Sequence, residues 1–195
     1  MTGLSQILSD PAKWLKHAFL IDQGFYSLFS FVWIILASRS LALEDFGQFS
    51  YAFYLFPLLG VVSLSFVHMP HMFYAHLRRG QEELFTTEFF IHLGIVFMVS
   101  LGLFMFLVVT SFKIEQAWLF ALMFLVSQVY DICRRRLLVQ KQIKVLLLAD
   151  SIRFLPLVIL TAMGVTLGPE KLLGITILVL AFPTALLVPK VGIKR

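Results

Sequence analysis

The chain has 195 residues, of which 59% are apolar and only 14% charged, and its mean hydropathy is +0.91. Soluble domains carry closer to a quarter of charged residues, so this chain lacks the polar surface to coat a globule in water and belongs in a membrane. Disorder, a collagen-like repeat and a secreted disulfide scaffold are excluded; the single cysteine, Cys133, forms no internal disulfide and stands in no Cys/His zinc spacing.

Residues 1–18 hold no apolar stretch of signal-peptide type. They are expected to form an N-terminal interfacial segment ahead of a transmembrane lobe over residues 19–195. Leu4, Ile7, Leu8, Pro11, Trp14, Leu15 and Ala18 fall near one face of a helix started or broken at Pro11, and Trp14 with Lys13 and Lys16 makes an interfacial anchor. A frayed tail is the alternative. A bilayer core about 30 Å thick needs roughly 20 apolar helical residues. Six runs meet that need: Gly24 to Leu43, Phe49 to Phe73, Phe89 to Phe112, Ala117 to Ile132, Val145 to Val165 and Leu172 to Val188. The fourth is short and can extend into its basic end.

Charge placement tests this division independently, because short cytoplasmic loops concentrate Lys and Arg. With the N-terminus inside, the inner segments hold twelve basic residues: Lys13, Lys16, Arg78, Arg79, Arg134, Arg135, Arg136, Lys141, Lys144, Lys190, Lys194 and Arg195. The outer ends hold three, Arg39, Lys113 and Lys171, while Arg153 falls within the fifth run. The pattern predicts an all-α, polytopic transmembrane helix bundle of six spans with both termini cytoplasmic. The net charge of +5 then follows from topology and from facing anionic lipid, and a nucleic-acid partner is not required.

The segment ILASRSLALEDFGQFSYAFYLFPLL, Ile35 to Leu59, resembles the start of the polysaccharide flippases, the Wzx-like branch of the multidrug/oligosaccharidyl-lipid/polysaccharide exporter superfamily. Arg39, Leu41, Glu44, Asp45, Phe46 and Gly47 stand where that family has an Ala-Arg-x-Leu-like turn followed by Pro/Glu-Glu-Phe-Gly. On physical grounds Glu44 and Asp45 favour the start of the second helix, Phe46 plugs the interface and Gly47 lets helices pack closely. Tyr130 to Val158, YDICRRRLLVQKQIKVLLLADSIRFLPLV, resembles the basic inner end of the family's fourth helix, its short connector and its fifth helix.

Family members carry about twelve or more helices in two lobes, so this chain resembles the N-terminal lobe alone. The second lobe is expected from a missing C-terminal half or from homodimerisation. The resemblance implies the bacterial inner membrane and movement of undecaprenyl-diphosphate-linked oligosaccharide for surface polysaccharides such as O-antigen. It also implies alternating access, with no bond broken and no cofactor. Two other readings are a truncated or non-catalytic membrane subunit and a cation-coupled multidrug exporter of the same superfamily. The exporter reading wants an acidic residue deep in the first helix, which has none after Asp22. A membrane-embedded enzyme is disfavoured: no Asp-rich metal motif, phosphate loop, nucleophile elbow or His-Glu-x-x-His helix is present.

Ionisable residues at membrane depth are expensive and mark candidate sites. Arg153 lies eight residues after Val145, roughly 12 Å along a helix. It must pair or face water, either against substrate or in a structural pair with Asp150 at i, i+3; Pro156 stands ready to bend the helix. Asp22 and Gln23 either line the inner mouth or cap the first helix. Arg39 is placed to pair with Glu44 or Asp45. Asp131, Arg134 and Arg135, with Arg136, either attract a diphosphate or anchor the inner end of the fourth helix. Gln128, one turn earlier, is a lining residue or an interhelical hydrogen-bonding group. His68, His71 and His76 surround Pro70 without an acidic or thiol ligand, so no metal is expected. His92 is a proton-coupling candidate or a packing residue.

Overall fold

The computed structural model describes residues 11–63, 65–66, 81–140 and 142–188. They form six α-helices: α1 (Pro11–Ser40), α2 (Leu43–Ser63), α3 (Gln81–Val109), α4 (Ile114–Val139), α5 (Ile143–Ala162) and α6 (Pro169–Leu187). Among the described residues there is no strand. The described part of α1 runs unbroken from Pro11 past Gly24, so part of the expected interfacial segment is continuous with the first apolar run. Helix α4 continues through its basic end to Val139, since no Gly or Pro interrupts it. The second run was expected to reach Phe73; beyond Ser63 only Ser65 and Phe66, in π geometry, are described. His68, Pro70, His71, His76, Arg78, Arg79, Lys141 and residues 189–195 lie outside the described residues.

Among the described residues, four helices are long and apolar enough to cross a membrane: Phe85–Val109, Ile114–Val139, Ile143–Ala162 and Pro169–Leu187. Their polarity is inverted relative to a soluble fold. Phe90, Phe97, Met98, Leu101 and Met105 recur at helical spacing on the exposed face of α3, with Leu148 and Leu155 on α5 and Leu178 and Phe182 on α6. The interior holds His92, Gln116, Arg134, Asp150, Arg153 and Thr176. A surface that is apolar at this density suits hydrocarbon and not water, which marks the chain as a multi-pass membrane protein.

Helix α4 is central, packing mainly against α6 and α3, and α5 bridges α6 to α1. Two apolar clusters hold the bundle. In the first, Trp33 is fully buried, stacks on Phe49 at 3.9 Å and Phe53 at 4.5 Å between ring centroids, and donates Nε1–H to Thr176 Oγ1 at 2.8 Å. Three helices, α1, α2 and α6, thus meet on one side chain. The second cluster surrounds the C-terminal half of α4 with Phe85, Phe89, Tyr130, Ile132, Cys133 and Leu146.

The tight turns satisfy helix ends with backbone bonds. After α3, Phe112 N–H reaches Leu107 O at 3.1 Å while Ser111 sits at φ 70°; after α5, Val165 N–H reaches Leu160 O at 3.3 Å with Gly164 at φ 63°. Both are left-handed closures that glycine adopts at no steric cost. Glu44 and Asp45 stand in the first turn of α2, where the dipole favours them. The close-packing role expected of Gly47 is corrected: a Cβ there meets nothing within 4 Å. Gly60 holds that role, since its Cβ would lie 3.3 Å from Gln128 Nε2.

Candidate functional site

Helix α5 buries Leu146, Ala149, Asp150, Arg153 and Leu157. That spacing of three and four residues defines one face, so an aspartate and an arginine share the stripe that packs inward. Asp150 and Arg153 are each 4% exposed. Phe29 from α1 and Tyr130 from α4 close on them. The Arg153 guanidinium carbon lies 3.8 Å from the Phe29 ring centroid and 4.9 Å from that of Tyr130. Cation–π attraction strengthens when the cation is desolvated, to about 2 kcal/mol, and the rings shield the charge from lipid. The Tyr130 hydroxyl donates to Asp150 Oδ1 at 2.6 Å.

This geometry changes the pairing expected from the sequence. Asp150 Oδ1 is taken by Tyr130, and Oδ2 has no hydrogen-bond partner among the described residues. The direct Asp150–Arg153 hydrogen bond is therefore not made. Tyr130 links the two residues instead, holding the carboxylate with its hydroxyl and the guanidinium with its ring. The short O–H···O⁻ distance is that of a charge-assisted bond, which explains why the carboxylate turns to α4 and not along its own helix. Helix α5 passes through Pro156 without a break in its helical assignment.

The other candidates are distributed. Arg135 Nε donates to Asp131 Oδ2 at 2.8 Å and Arg134 Nη1 to Asp131 Oδ1 at 3.4 Å, so both cations converge on one carboxylate. Arg136 lies over the Phe85 ring at 4.7 Å and is 2% exposed. The first two contacts lie within α4, and the third joins its C-terminal half to α3. Gln23 is exposed on α1, and the side chain of Asp22 lies outside the described set. Arg39 is exposed at the end of α1, and among the described residues it pairs with neither Glu44 nor Asp45. His92, fully buried, donates Nε2–H to the Gln128 carbonyl at 3.1 Å, tying α3 to α4.

Phe29 and Tyr130 were not singled out from the sequence. An aromatic residue at helical spacing in an apolar run carries the same signal whether it packs or binds, and only the third dimension sets these two around a charge. Among the described residues, no three His, Cys, Asp or Glu side chains converge as a metal site. A scan against family models, a search of curated proteins and a search of solved structures each found no match to this chain.

Proposed function

We propose that the chain is one lobe of a flippase that moves lipid-linked, undecaprenyl-diphosphate type oligosaccharides across the bacterial inner membrane by alternating access. In this reading the six helices are six spans, both termini are cytoplasmic, and a second lobe completes the translocation path. The observation that carries it is Arg153: a cation 4% exposed in an apolar helix, lying over the rings of Phe29 and Tyr130 where α1, α4 and α5 meet. A guanidinium carries its N–H groups in one plane, in a fork that matches phosphate oxygens. The resemblance in Ile35 to Leu59 and Tyr130 to Val158, and the one-sided placement of basic loops, support the same reading.

The chemistry asked of such a site is modest. The lipid tail stays in the bilayer while the anionic headgroup crosses, so a buried cation replaces part of the water that the diphosphate gives up. The interior position requires α1 to separate from α5 before a headgroup reaches Arg153, and this is the kind of inward-to-outward rearrangement that alternating access supplies.

The test is complementation of a bacterial strain lacking its own flippase, combined with transbilayer movement of a fluorescent lipid-diphosphate saccharide in proteoliposomes. R153A is expected to lower the rate about tenfold or more, the loss of one charge-assisted hydrogen bond. R153K keeps the charge but loses the planar stack and is expected to fall between. Wild-type rates from folded R153A at equal membrane abundance would exclude the site.

A further inference from the structure

The unused acceptor of the site is Asp150 Oδ2. It belongs to a residue only 4% exposed, and it has no hydrogen-bond partner among the described residues. A buried carboxylate oxygen without a donor is costly, by about 1–3 kcal/mol or more, and calls for an explanation. Its fellow oxygen accepts from Tyr130 at 2.6 Å, which orients the carboxylate. A few ångströms of ring away, the same Tyr130 carries the Arg153 guanidinium.

Resting on the flippase reading, we infer that Asp150 is a specificity-determining residue of this site: its Oδ2 accepts a hydroxyl of the sugar next to the phosphate that Arg153 binds. A carboxylate beside an arginine is poorly suited to a bare polyanion, because it repels a second phosphate oxygen. It suits a ligand that presents an anion and a hydroxyl donor side by side. The first sugar on a lipid diphosphate has that pattern, since its ring carries hydroxyl donors close to the phosphate-bearing carbon. Tyr130 is the positioning residue, acting on the ligand only through Asp150 and Arg153.

The chemistry separates two lipids that share a diphosphate. The site is expected to prefer a lipid diphosphate bearing a sugar over the same lipid diphosphate without one. A hydrogen bond to a charged group corresponds to a preference of about tenfold or more. D150N is the sharpest variant. The amide oxygen still accepts from Tyr130, while the position of Oδ2 becomes an N–H donor. Binding of the sugar-bearing lipid is expected to weaken about tenfold and that of the bare lipid to tighten, so the preference collapses or reverses. Y130F keeps the ring under Arg153 and removes the hydroxyl that fixes the carboxylate; it is expected to reduce the preference while the bare lipid binds as before.

The experiment measures binding of both lipids to the full chain in nanodiscs, alongside its thermal unfolding. Equal affinity of the wild type for the two lipids overturns the inference and leaves the flippase reading standing. Retention of the full preference by D150N, or by Y130F if D150N does not fold, also overturns it. Failure of the wild type to bind either lipid overturns the flippase reading and this inference together. A purely structural role for Tyr130 lowers the unfolding temperature of Y130F and leaves the lipid preference unchanged.

Discussion

Trp33 shows how much one side chain contributes at the residue scale, since its ring stacks on two phenylalanines and its N–H is bonded. W33F preserves stacking on Phe49 and Phe53 but removes the bond to Thr176. The loss is expected to cost about 0.5–1.5 kcal/mol, read as earlier unfolding in detergent. Thr176 also donates to Leu172 O at 2.8 Å, so T176V removes two bonds and costs more. The coupling between the two substitutions isolates the Trp33–Thr176 term, with an expected size of about 0.6 kcal/mol and no more than about 1.7. Full additivity would show that the bond contributes nothing. Residues of this kind were invisible in the sequence, where an indole in an apolar run reads as packing. Arg153 and Asp150 were legible because charge stands out against 59% apolar content. Their geometry was not, because i, i+3 spacing describes one helix and the competing hydroxyl arrives from another.

At the scale of elements, helix interiors were legible and helix ends were not. Each described helix overlaps an apolar run, yet α4 extends seven residues past the expected Ile132 to Val139, because RRRLLV contains no breaker and guanidinium groups find partners in Asp131 and Phe85. Turn chemistry decides the other boundaries and makes contrasting predictions at four small residues. Ser111 occupies a left-handed conformation that costs an L-residue about 1–2 kcal/mol. S111G is therefore expected to stabilise the α3–α4 turn, and G164A to destabilise the α5–α6 turn by a similar amount. Within helices the order depends on space. G47A meets no neighbour and gains helix propensity, up to about 1 kcal/mol, whereas G60A must displace the Gln128 amide 3.3 Å away and is expected to lose stability. Unfolding midpoints of these four variants in one detergent check the whole set. Equal effects at Gly47 and Gly60 would contradict the packing of α2 on α4.

For the whole molecule, the inverted distribution of polarity sets the environment, and the proposed orientation adds a direction that labelling can read. Helix α4 has 26 residues and α5 has 20, spanning about 39 Å and 30 Å at 1.5 Å per residue. Either length exceeds a hydrocarbon core of about 30 Å or matches it. Ser111 and Thr166, in the turns at the start of α4 and the end of α5, should therefore lie on one side of the membrane, and Gln142, in the turn joining the two helices, on the other. Cys133 is fully buried, so the native chain gives an impermeant maleimide no accessible thiol and provides a low background. Single cysteines at 111, 166 and 142 are expected to split two against one in intact cells, with 111 and 166 labelled from outside and 142 only after permeabilisation. The opposite split would keep both spans but invert the charge-based orientation. Labelling of all three from the same side would mean that α4 and α5 do not cross, leaving Arg153 at an interface and removing the reason for its burial.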